Sequence, residues 1–169
     1  MILTRDRILA EVAAGNVVID PFDEDMVGPA SVDLHLDDKV RILDDAHREI
    51  DIHDGTDYRD YSSVESLDAP LALRPGETIL GITREQIRLP PNICGWLDGR
   101  SRFARLGLTI HITAGFLSPG IDNKQVLEIS NLSGRTLKLH AGTRICQVIL
   151  QRTDGEAVYS GRFADQTEL

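Results

Sequence analysis

A chain of 169 residues, 41% hydrophobic and 27% charged, is long enough for one well-cored domain and short for two. Its formal net charge of −9 argues against a nucleic-acid polymer or an anionic membrane as main partner, while a small polyanion can still bind where positive charge is gathered locally. No apolar run nears the ~20 residues of a bilayer span, and the start lacks a basic-then-apolar signal pattern, so a single cytoplasmic domain over residues 1–169 is expected.

In chain order, an amphipathic helix comes first. Thr4 suits its N-cap, Ile8, Leu9, Val12 and Ala13 form an apolar stripe, and Gly15 stops it. Short β-type runs bounded by Gly, Pro and Asp follow at 17–19, 32–36, 40–43, 78–83, 93–97, 109–113, 126–130, 136–139 and 145–151. This density predicts a mainly β barrel or sandwich. Residues 44–68, rich in Asp, Ser and Tyr without apolar periodicity, predict a long surface excursion without chemistry. Cys94 and Cys146 sit in apolar runs and read as buried reduced thiols, too few and too far apart for a zinc site.

Three segments carry candidate chemistry. In Gly99-Arg100-Ser101-Arg102-Phe103-Ala104-Arg105-Leu106-Gly107, Gly99 ends a strand, Ser101 suits the N-cap of a short helix, and Gly107 closes it. Arg102 and Arg105 share one face of that helix. Three arginines and a serine suit a phosphate chain, and equally a solvated basic turn facing the protein's own surplus acids. In Thr109-Ile110-His111-Ile112-Thr113, alternation places His111 on a polar face, where a structural role is the ordinary one. In Val126-Leu127-Glu128-Ile129-Ser130, Glu128 projects opposite Leu127 and Ile129. It is a solvent-facing acid on an exposed sheet and a proton-transfer group in a dry cleft. The letters His47-Arg48-Glu49 match half of the zinc-deaminase signature, but no C-x-x-C exists, and the match is coincidence.

Taken together, these segments resemble the dCTP deaminase family, related to the trimeric dUTPases. The family pattern G-R-S-S-x-A-R-x-G is matched by Gly99 to Gly107 except at Arg102. The pattern H-x-T-A-G-x-I-D-P-G is matched by His111-Ile112-Thr113-Ala114-Gly115-Phe116-Leu117-Ser118-Pro119-Gly120 except at Leu117 and Ser118, and the L-E strand by Leu127-Glu128. Pro29-Ala30-Ser31-Val32-Asp33-Leu34 and the turn Leu139 to Gln147 resemble further family segments.

The resemblance implies a distorted β-barrel of the dUTPase-like, β-clip kind, assembled as a homotrimer with sites between neighbouring subunits. It implies dCTP as substrate, Mg2+ carried on the triphosphate, no zinc, and release of ammonia to give dUTP. Glu128 would shuttle protons, and Ser101 and Arg105 would hold the water and departing group. Arg100, Ser101 and Arg102 would engage phosphates, while Ala114, Val126 and Leu127 would line the pyrimidine. Tyr159, Arg162 and Gln166 resemble a nucleotide-covering tail that acts as a lid or, equally, is a frayed terminus. Ser118 stands where the family has aspartate, near the sugar, and cannot act as a base; Arg102 replaces a second serine. These departures keep two alternatives open: a dUTP pyrophosphatase or bifunctional enzyme, and a non-catalytic dNTP-binding regulator. Regulation by dTTP stays open as well.

Overall fold

The computed structural model describes residues 1–44 and 49–169. Among the described residues two helices, α1 (Arg5–Ala13) and α2 (Ser101–Ala104), accompany eleven strands: β1 (Val18–Asp20), β2 (Val32–Leu43), β3 (Ser62–Ser66), β4 (Leu71–Leu73), β5 (Thr78–Arg88), β6 (Ile93–Gly99), β7 (Leu108–Thr109), β8 (Phe116–Leu117), β9 (Asp122–Asn131), β10 (Leu137–Leu139) and β11 (Arg144–Arg152). Short 3-10 turns cover Glu24–Met26 and Tyr58–Tyr61.

The period-2 alternation read from the sequence is what builds the core. Val32, Leu34, Leu36 and Val40 of β2 are buried, as are Leu127 and Ile129 of β9 and Ile145, Val148 and Leu150 of β11. Nine strands form one curled sheet in the order β7-β9-β5-β2-β11-β6-β8, with β1 on β5 and β3 on β2; β4 and β10 pair separately. β2 makes the curl. Its first residues, Val32 to His35, pair with β11, and from Leu36 onward it pairs with β5. Register shifts after Leu36 on β2 and after Ile82 on β5 mark bulges at this corner, which bend strands and increase twist. The protein is thus mainly β with a curled, half-closed barrel. None of its described helices is long and apolar enough to cross a membrane.

Several local expectations change. Residues 32–36 and 40–43 form one continuous strand, because the bulge lets the chain bend without breaking. Thr4 does sit at the N-cap, but its hydroxyl donates to the Asp6 carboxylate and makes no bond to a helix N–H. Arg100, not Ser101, is the N-cap of α2, and Ser101 is its first residue. The expected strand 109–113 shrinks to β7. Ile110 is buried and Ile112 is 57% exposed, so two residues of the same parity face opposite ways and no strand can continue. The excursion carries β3 on the edge of β2, with Asp57 capping the turn before it. The His47-Arg48 part of the zinc-deaminase half-match lies outside the described residues.

Candidate active site

Because Leu127 and Ile129 fill the core, Lys124, Val126 and Glu128 of β9 face the other way, onto a cleft of about 450 Å³. That volume suits a small organic ligand. Ala114, Phe116 and Ser118 form a second wall, and Tyr159, Phe163 and Gln166 of the C-terminal tail a third, with Tyr58 and Leu80 completing the lining. Within it, among the described residues, Glu128 is the only carboxylate and Lys124 the only cation.

Glu128 is oriented by the segment that failed to become a strand. The Ile112 N–H, having no ladder partner, donates to Glu128 Oε2 at 3.0 Å. A carboxylate fixed at one oxygen on an apolar-walled cleft is placed to exchange a proton with a ligand. Lys124 is engaged by Asp37, with Nζ 2.7 Å from Oδ2. Burial opposes ionisation of Asp37, but the hydrogen bonds from Lys124 and from the Asp38 N–H outweigh it and hold the carboxyl below its ordinary value. Behind Gly115 the His111 ring is so close that a Cβ there would lie 2.8 Å from Cε1, and its buried Nδ1 has no hydrogen-bond partner. His111 is therefore a packing element under this wall.

The arginine segment lies elsewhere. Ser101, Arg102 and Arg105 are exposed, and neither they nor Arg100 line the cleft. Arg100 is turned inward, its Nη2 3.0 Å from Asp33 Oδ2 and its Nη1 donating to the Arg144 carbonyl at 3.1 Å. Within one chain, then, the cleft and the arginine-rich segment are separate. Of the residues expected around the base, Ala114, Ser118, Val126 and Glu128 are brought together with Tyr159 and Gln166. Leu127 is not among them: its side chain is fully buried in the core. Arg162 does not line the cleft either; it reaches Asp57.

Sequence reading missed Tyr58, Phe116, Lys124 and Phe163. Alternation from Val126 and Glu128 back to Lys124 was the available signal for one of them. It also missed a buried polar pair beside the bulge. Glu85, 1% exposed, accepts from the His35 N–H at 2.9 Å and lies 2.6 Å from His35 Nδ1. Such a carboxylate is tolerable in a core only because it is so partnered. Cys146 nearby is pushed far up by burial, with the Glu85 and Asp33 charges adding to it.

The curled sheet with a nucleotide-sized cleft on its β9 face belongs to the dUTPase-like class of β folds. A 2'-deoxycytidine 5'-triphosphate deaminase from Agrobacterium tumefaciens superposes with a TM-score of 0.72 at 22% identity, covering 90% of this chain; this chain spans only 48% of that one. A dUTPase of Staphylococcus bacteriophage 80alpha shares the fold more loosely, at a TM-score of 0.52 and 12% identity. In sequence, residues 2–153 match a family described as dCTP deaminase-like. Proteins named dUMP-forming dCTP deaminases from Parafrankia sp. and Acidothermus cellulolyticus are each 38% identical over 175 residues, covering 98% of this chain and 87% and 91% of theirs. The chain belongs to the dCTP deaminase-like family.

Proposed function

We propose that this protein hydrolyses dCTP to dUTP and ammonia in the cytoplasm, at sites shared between neighbouring copies in a homotrimer. The observation that carries the reading is Glu128, the one carboxylate among the described residues of the cleft, held at one oxygen by the Ile112 N–H. In this role Glu128 takes one proton from water as the oxygen attacks C4 and passes it to N3, then takes the second from the resulting C4 hydroxyl and gives it to the amine as the C4–N bond breaks and C4=O forms; dCTP and water become dUTP and ammonia. Ala114 and Val126 offer backbone groups to the pyrimidine edge, and Tyr159 and Gln166 enclose it.

The cleft holds one cation, already paired to Asp37, so it has little to offer a triphosphate. Ser101 and Arg102 of α2 and Arg105 at its C-cap are exposed. Docking the α2 region of one copy against the cleft of another would supply the missing charge, with Ser101 and Arg105 completing the water and amine site. Among the described residues no three His, Cys, Asp or Glu side chains converge as a metal site. Mg2+ would accordingly arrive on the triphosphate oxygens and neutralise part of their charge.

The relatives' name includes dUMP formation, which requires a second hydrolysis at the phosphates. Ser118 stands where the family pattern has aspartate and supplies no base there, so we propose that the reaction stops at dUTP. Incubation with dCTP, CTP, dCMP or dUTP plus Mg2+, followed by product identification, tests both statements. The expected result is dUTP and ammonia from dCTP, with dUTP untouched. Appearance of dUMP and pyrophosphate would favour the bifunctional reading that the relatives' name suggests. Tight dCTP binding without ammonia release would leave a nucleotide-binding regulator and overturn the activity.

A further inference from the structure

The turn at Tyr58–Tyr61, inside the excursion to which sequence analysis assigns no chemistry, is built from both sides. Arg41 of β2 donates to the Ser62 carbonyl at 2.9 Å and to Ser62 Oγ at 2.8 Å. Ser62 Oγ in turn donates to the Tyr58 carbonyl at 2.7 Å, and the Arg41 guanidinium lies 5.7 Å from the Tyr58 ring centre. At the other end Asp57 accepts the Arg59 N–H at 3.0 Å, and its Oδ2 accepts Arg59 Nη2 at 2.5 Å. A turn fixed this firmly sets two side chains: Tyr58 enters the cleft lining, and Asp57 faces the tail.

The tail meets that carboxylate. Arg162 Nη2 donates to Asp57 Oδ2 at 2.5 Å. On either side of Arg162 the tail is pinned to residues of the cleft region. The Tyr159 N–H donates to the Pro119 carbonyl at 2.9 Å, the Asn123 side-chain amide to the Phe163 carbonyl at 2.7 Å, and the Lys124 N–H to the Gln166 carbonyl at 2.8 Å. Every tail residue lining the cleft thus lies within four residues of the Arg162–Asp57 pair.

We propose that Asp57 is a positioning residue of the nucleotide site: through Arg162 it holds the 159–166 tail against the cleft of the same chain, while Tyr58 of the same turn forms the adjoining wall. The pair joins a half-exposed arginine to a mostly covered aspartate, so it is a latch weakened by salt, not a permanent staple. Opening it lowers the fraction of molecules whose cleft is ready for ligand, and apparent affinity falls by that fraction while chemistry at Glu128 is unaltered.

The test uses the full chain. Asp57→Asn keeps the capping oxygen and the side-chain size and removes the charge. Limited trypsin digestion in dilute buffer, followed by intact mass, reads loss of residues 163–169 through cleavage after Arg162. Cleavage is expected to speed up about two- to fivefold in Asp57→Asn, the range of exposed ion pairs, to return towards wild type in Asp57→Glu, and to be unchanged in the control Asp68→Asn, an exposed carboxylate outside the turn. An unchanged rate in Asp57→Asn overturns the latch. Should that variant fail to fold, the wild-type protein decides. Raising NaCl from about 50 to 500 mM must accelerate Arg162 cleavage relative to a free 158–169 peptide, and no relative change overturns the proposal. A kinetic arm rests on the proposed deaminase reading: KM for dCTP should rise in inverse proportion to the closed fraction that remains, with kcat retained, and a fall in kcat alone refutes a positioning role. Because the proteolysis arm involves no nucleotide, its failure is distinguishable from failure of the deaminase reading.

Discussion

If the working site takes Glu128 from one copy and Arg105 from another, two inactive variants should repair each other. In Glu128→Gln the side-chain carbonyl can still accept the Ile112 N–H, which lies 3.0 Å from Oε2, so the cleft keeps its shape and loses only its proton carrier. General acid–base groups contribute about 10²–10⁴ in rate, and that is the expected loss. Arg105 is exposed at the C-cap of α2 and outside the cleft, so Arg105→Ala leaves the cleft of its own chain intact. Loss of a charge-assisted hydrogen bond at the departing group should cost roughly 1.5–3 kcal/mol, or about 10- to 150-fold. Co-expression of the two variants with different tags assembles mixed oligomers. Each trimer that contains both variants joins an intact Glu128 to an intact Arg105 at one of its three sites, so ammonia release should recover to about a third of wild type. Ammonia from dCTP is read by a coupled assay on the doubly purified oligomer. A mixture no more active than its components would refute the shared site, and full turnover by Glu128→Gln alone would remove that residue from the mechanism.

Gly107 closes α2 at φ +87°, and a Cβ there would lie 2.7 Å from Ser133 Cβ and 2.9 Å from its backbone nitrogen. Gly107→Ala combines a left-handed conformation with a backbone clash and should destabilise by about 2 kcal/mol or more, read as a lower melting temperature by calorimetry. Both thiols are raised by burial, Cys146 far more than Cys94, so neither should react with a disulfide reagent at pH 8 before the protein unfolds in denaturant. These shifts fix the sign of the pH dependence. Raised Cys146 favours the folded state fully below about 8.5 and loses that contribution as pH climbs towards its folded value. Lowered Asp37 contributes above about 3.9 and loses it as pH falls through its folded value. The urea midpoint should therefore hold steady between these limits and decline on both sides; a midpoint still rising at pH 10 contradicts the Cys146 assignment. Ser118→Asp should add pyrophosphate and dUMP to the products, measured by chromatography, and an unchanged product set would show that this side chain does not limit the second hydrolysis.

Much of this protein was legible as a string of residues. Period-2 alternation located most long strands and sent Leu127 and Ile129 one way and Glu128 the other, because side-chain direction in a strand is a local property. Motif spacing from Gly99 to Glu128 carried the family. Where local alternation and actual burial part, as at Ile110 and Ile112, the sequence reading ran a strand to residue 113 that the structure ends at Thr109. Bulges also escaped it, since they depend on which partner strand lies alongside, and with them escaped the burial of Glu85 against His35.

What residue order determined was therefore the β class, the strand faces and the set of chemically capable side chains, all set by interactions between near neighbours. Only the folded chain decided which of them meet: Glu128 with Ala114, Tyr159 and Tyr58 on one cleft, Arg162 with Asp57 across 105 residues of sequence, and the α2 arginines on a separate surface. Those encounters depend on strand partners far apart in the chain and on the bend of β2, which no local pattern encodes.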